Sequence, residues 1–178
     1  MTSRIYDPVG YITPLTVKLK IFCQSLCKKS IEWDEPLDHE SSNAWKALQR
    51  ELKESDLIKI SRCYFNGVRK ENVTASLEGF CDSSSKAYAA VVYLKLESND
   101  GVQLCLVASK TRVAPLEVQS IPRLELLSAL ILSRLITNVK EALKGFIDIA
   151  YKRCWSDSEV VLYWIYGETR EWKQFVQN

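Results

Sequence analysis

The sequence holds a single histidine, His39, and none of its six cysteines forms a Cys-x-x-Cys pair. Structural zinc sites need four nitrogen or sulfur ligands at short, paired spacings, so this pattern argues against a zinc finger. Cys23, Cys27, Cys63, Cys81, Cys105 and Cys154 are expected to be reduced and mostly buried thiols. Charge of one sign is also missing. The formal net charge is +2, so no global basic field announces a polyanionic partner, and such a partner would have to be held by a local patch. Every apolar run is broken by charge well short of a membrane span. The first residues, Met1-Thr2-Ser3-Arg4-Ile5-Tyr6-Asp7, lack the apolar stretch of a signal peptide. The expected setting is therefore cytosolic or nuclear, not secreted, with no membrane partner.

What is present is an ordinary globular balance, 47% hydrophobic and 26% charged over 178 residues, enough for one domain and an appendage. Two segments differ in grammar. Residues 1–65 read as a helical segment. Thr13 and Pro14 suit a helix start, and Leu15, Leu19, Phe22 and Leu26 recur at helical spacing up to about Ser30. Pro36 disfavours helix before it, so the stretch from Ile31 to Leu37 is expected to be extended or turned. Asp38 then caps a second helix with Trp45, Leu48 and Leu52 on one face. Leu57–Phe65 reads as a strand, and Asn66-Gly67 as a turn.

Residues 66–178 read as an α/β domain. Strands are expected over Val73–Asp82, Ala87–Leu96 and Val102–Thr111, with Ser98-Asn99-Asp100-Gly101 as a hairpin turn. A long helix follows over Arg123–Leu143, then a strand over Ile147–Trp155 and a helix over Asp157–Tyr166 closed by Gly167. Another helix starts at Glu171. A strand–helix–strand crossover after a three-stranded meander gives a mixed sheet with flanking helices, in which the first and fourth strands lie side by side.

That topology gives meaning to three acids. Asp82 ends the first strand, Glu125 sits in an apolar helical run, and Asp157 follows the fourth strand. Singly, they read as a turn residue, a helix-start acid and an N-cap. Together at one sheet edge they form a hard-oxygen site suited to Mg2+ or Mn2+, the setting for phosphoryl transfer on a polyanion. Lys110, Arg112 and Arg123 flank the site and are candidate phosphate contacts. Core packing is the expected role of Trp155, Trp164 and Trp172, with base stacking as the alternative.

Three motifs carry a resemblance. Gly79-Phe80-Cys81-Asp82-Ser83-Ser84-Ser85-Lys86-Ala87-Tyr88, Ile121-Pro122-Arg123-Leu124-Glu125-Leu126 and Trp155-Ser156-Asp157-Ser158 resemble the ribonuclease H region of Bel/Pao-type LTR retrotransposon polyproteins. Tyr6-Asp7-Pro8-Val9-Gly10-Tyr11-Ile12-Thr13-Pro14 and Trp33-Asp34-Glu35-Pro36-Leu37 resemble the segment that follows the reverse transcriptase in the same polyproteins. The resemblance implies a ribonuclease H-like fold that cuts the RNA strand of RNA–DNA hybrids with two divalent ions, beside the reverse transcriptase part of its polyprotein. Asp82, Glu125 and Asp157 match the first three family carboxylates. The family's fourth acid follows a fifth strand, so the expected domain is C-terminally truncated, and Glu168 and Glu171 are weak substitutes. A folded or nucleic-acid-binding remnant without activity is the alternative. This region is also catalogued as a Pao aspartic peptidase. That chemistry needs an Asp-Thr/Ser-Gly turn, whereas Asp82-Ser83-Ser84 and Asp157-Ser158-Glu159 both lack the glycine.

Overall fold

The computed structural model describes residues 5–32, 34–65, 73–167 and 174–177. Two helices come first, α1 (Thr13–Lys28) and α2 (His39–Glu54). The strands β1 (Thr74–Ser83), β2 (Ala87–Ser98) and β3 (Gly101–Val113) follow, then α3 (Ile121–Leu143), β4 (Ile149–Trp155), α4 (Glu159–Tyr166) and the short α5 (Gln174–Gln177). The sheet order is β3-β2-β1-β4. β2 pairs antiparallel with both β1 and β3, and β4 runs parallel to β1. The crossover between them is α3, as a parallel neighbour requires.

Alternation along β2 explains which face is covered. Tyr88, Ala90, Val92, Leu94 and Leu96 are buried, while the residues between them are only partly so. The buried set meets Leu124, Ile131, Leu132, Ile136 and Val139 of α3, which recur at helical spacing. Gly79 of β1 lies under this helix. A Cβ there would stand 2.5 Å from Leu132 Cδ1, so the missing side chain sets how closely α3 can lie on the sheet.

The N-terminal segment is tied to the outer strand. Ser109 of β3 donates its N–H to the Val9 carbonyl at 2.8 Å and its hydroxyl to the Gly10 carbonyl at 2.5 Å. Gly10 has φ +80, and a Cβ there would collide with the Ser109 backbone, so glycine is required twice over. Gln24 of α1 donates to the Ala114 carbonyl at 2.8 Å. Phe22 and Trp45 stack with centroids 5.9 Å apart, joining α1 to α2.

Several local expectations change. Thr13 does not cap α1. The Asp7 carboxylate reaches forward and accepts the N–H groups of Tyr11 and Ile12 at 2.8 and 3.0 Å, and Thr13 is the first helical residue. Asp38 does cap α2, accepting from the Ser41 N–H at 2.6 Å. The strand expected over Leu57–Phe65 is absent: Ser55–Leu57 forms one 3-10 turn and residues 58–65 pair with no strand. Leu57 and Ile58 are 79% and 56% exposed, and apolar propensity without a partner strand or a face to cover does not make a strand. All six cysteines are free, but Cys23, Cys27, Cys63 and Cys154 are exposed; only Cys81 is buried. The Asn66-Gly67 turn, Trp172 and the start of the helix at Glu171 lie outside the described residues, and the expected boundary at 65/66 adjoins them.

Candidate metal centre

Parallel pairing of β1 with β4 brings the carboxyl ends of two strands to one edge. Phe80 is opposite Trp155, so Asp82 and Asp157 follow their paired residues by two positions each. Asp82 is exposed at the end of β1, and one of its oxygens accepts the Ser83 N–H at 2.6 Å. Asp157 is exposed on the connection to α4. It is not the helix cap: Ser158 accepts the Val161 N–H at 3.4 Å. That leaves the Asp157 carboxylate out of the cap.

Glu125 comes from the second turn of α3, beyond the reach of a first-turn dipole effect, and it is only 7% exposed. One oxygen accepts the Ser83 hydroxyl at 2.7 Å. Its other oxygen, Oε2, is buried without a hydrogen-bond partner. Leaving such an atom unmatched costs about 1–3 kcal/mol, more when it is charged. One carboxylate oxygen from each of Asp82, Glu125 and Asp157 lies within 4.8 Å of the other two. Three acids at that spacing repel one another, and no basic side chain is ion-paired to any of them among the described residues. All the donors are hard carboxylate oxygens, and the set fits a magnesium- or manganese-type ion.

Cys81 precedes Asp82 in β1 and is buried. Burial pushes its thiol up, the Ser128 and Ser156 hydroxyls oppose that, and the Glu125 and Asp157 carboxylates add to it. It stays protonated at neutral pH and donates weakly to the Trp155 carbonyl at 3.5 Å.

The three expected cations separate. Lys110 and Arg112 of β3 line a small groove against α3, together with Arg134 and Asn138. Arg123 does not line it; its guanidinium sits 4.9 Å from the Phe175 ring centroid and reaches Gln119 at 3.3 Å. Of the tryptophans, Trp155 is half exposed rather than core, and it stacks on Phe80 at 6.4 Å. Two participants escaped the sequence reading, Ser83 and Arg134. Only its place beside an acid marked Ser83, and Arg134 falls three helical turns after Arg123.

A sheet in which the first strand lies between an antiparallel second and a parallel fourth, crossed by one long helix and carrying an acidic trio at one edge, defines a ribonuclease H-like domain. The family model described as Pao retrotransposon-like RNaseH-like domain matches residues 1–158, and the chain belongs to that family. None of the curated proteins compared with the chain matches it. Among the described residues, no helix is long and apolar enough to cross a membrane.

Proposed function

We propose that this domain hydrolyses the RNA strand of RNA–DNA hybrids within a retrotransposon polyprotein that also carries the reverse transcriptase. Asp82, Glu125 and Asp157 would hold Mg2+ or Mn2+, and Lys110, Arg112 and Arg123 are the candidate phosphate contacts. The observation that carries this reading is the convergence of three carboxylates within 4.8 Å, one of them the buried Glu125, whose Oε2 has no hydrogen-bond partner. A cation bound among the three carboxylates would offset their repulsion and the buried charge.

Divalent ions in such a site supply charge stabilisation to the attacking and leaving oxygens of a phosphodiester. The chain's own residues prepare that chemistry. Ser83 fixes the Glu125 rotamer by donating to one oxygen and leaving the other presented. α3 excludes water from the Glu125 side, because Leu124 and Ser128 beside it are buried. Asp82 and Asp157 stay exposed, so a nucleic-acid backbone has access from solvent. Choice of RNA over DNA would rest on contacts to the 2′-hydroxyl and on the shape of the hybrid. Glu168 and Glu171, the substitutes considered for a fourth acid, lie outside the described residues.

The test is a hybrid-cleavage assay with Mg2+ or Mn2+, comparing the natural chain with Asp82→Asn. Metal-dependent cleavage lost in the variant supports the reading. Tight hybrid binding with no cleavage under either ion would replace it with a binding remnant.

A further inference from the structure

We infer that the groove between β3 and α3, lined by Lys110, Arg112, Arg134 and Asn138, is a metal-independent seat for a nucleic-acid backbone. It deepens the hybrid-cutting reading and rests on it for the identity of the duplex. Lys110 and Arg112 are two apart on a strand, so their side chains leave the same face. Arg134 and Asn138 are four apart on α3 and share a helix face. The two stripes enclose a cavity of about 90 Å³ with Leu127, Leu130, Ile131 and Leu135 as its apolar wall. No acid lines it, and none of the three cations is in an ion pair with a described residue. By contrast, Lys18, Lys29, Lys95, Lys144 and Arg153 each have a carboxylate within 4.0 Å. Three unneutralised cations side by side repel one another, which is tolerable where a polyanion settles between them.

Register ties the groove to the acids. Arg112 pairs with Tyr88, which pairs with Ser83, whose hydroxyl holds Glu125. The basic groove is thus two strand spacings, about 10 Å, from the acidic edge and at the same end of the sheet. Lys110 and Arg112 themselves stand about 6.8 Å apart along β3. A backbone leaving the acids across β2 meets Arg112 and Lys110 in turn, with Arg134 on the opposite wall.

The experiment measures binding of a fluorescently labelled RNA–DNA hybrid by anisotropy, in EDTA, over a range of salt. Arg134→Gln is expected to weaken binding about three- to tenfold at low salt and to flatten the log–log salt slope by about 0.9, one phosphate's worth. Lys110→Gln with Arg112→Gln should flatten it by about twice that. Arg134→Lys should keep the slope, and Lys144→Gln, an equal charge loss at the far end of α3, should leave it unchanged. The inference is overturned if Arg134→Gln matches the natural chain, if Lys144→Gln flattens the slope equally, or if polyglutamate displaces the hybrid at equal charge concentration. Asp82→Asn serves as the separating arm. Metal-free binding retained in it while cleavage is lost upholds both readings; groove binding with no metal-dependent cleavage in the natural chain sinks the nuclease alone.

Discussion

β1 carries two acids whose surroundings invite comparison, the buried Glu78 in its middle and the edge around Asp82 that Glu125 overhangs. Glu78 and Glu125 are 6% and 7% exposed, and each has one oxygen without a hydrogen-bond partner. Their neighbours differ. Glu78 accepts the Trp155 indole N–H at 2.8 Å, and Arg153 stands 3.9 Å from its other oxygen. Glu125 accepts one serine hydroxyl and faces two more carboxylates. The same desolvation problem is solved at Glu78 by a cation that belongs to the chain. At Glu125 the chain adds negative charge instead, which is the pattern of a site that takes its cation from solution.

The largest expected effect breaks the comparison at the acidic edge. Glu125→Gln or Asp82→Asn should lower metal-dependent hybrid cleavage by more than about 100-fold, beyond the 10–100-fold typical of outer-sphere residues. Glu78→Gln should leave cleavage within a small factor; equal losses in a steady-state assay would mean that the two glutamates do the same job. Ser83→Ala should weaken Mn2+ affinity by about 10–100-fold, read by calorimetry or paramagnetic relaxation, with Ser83→Thr restoring most of it. An unchanged affinity would show that Glu125 needs no such aim.

Stability sharpens the contrast by sign. Glu78→Ala should destabilise the fold by about 1–3 kcal/mol, because the Trp155 N–H and Arg153 lose their acceptor. In EDTA, Glu125→Gln should stabilise it by about 2 kcal/mol, the repulsion of two carboxylate pairs near 4–5 Å at about 1 kcal/mol each in a water-like dielectric. Adding Mg2+ should raise the melting temperature of the natural chain and not of Glu125→Gln. Destabilisation by both substitutions in EDTA would put Glu125 in the same structural class as Glu78.

The smallest effect uses an exposed surface acid as reference. Asp38 is held down to about 2 by the Lys29 ammonium and then by the Ser41 N–H. A depressed folded value means that its contribution is complete above the unfolded value of about 3.8 and is lost as pH falls through about 2. In acid titration, Asp38→Asn should remove that low-pH limb, while Mg2+ should raise its melting temperature at neutral pH as much as it does in the natural chain. A changed response to Mg2+ in Asp38→Asn would blur the distinction drawn between the glutamates.

Strong periodic signals were legible in the chain. The alternation of β2, the repeat of α3 and the Asp38 cap rest on local spacing and backbone chemistry, and they appear close to where the residues put them. Leu57–Phe65 misled because strand propensity expresses itself only against a partner, and no described strand pairs with it. The α1 start misled for a similar reason: Thr13 fits a cap locally, but Asp7 orders the turn before it through the Tyr11 and Ile12 N–H groups, and the Ile12 carbonyl takes the Leu15 and Thr16 N–H groups. The sequence by itself determined which acids were available, in what order along strand, helix and strand. Tertiary structure alone decided that Glu125 is buried with one oxygen held by Ser83 and the other bare. It also decided that Glu78 answers to Arg153, and that Lys110 and Arg112 face Arg134 rather than Arg123. The physical reason is that burial, charge pairing and hydrogen-bond supply depend on residues dozens of positions apart, which only sheet register and helix packing bring within a few ångströms.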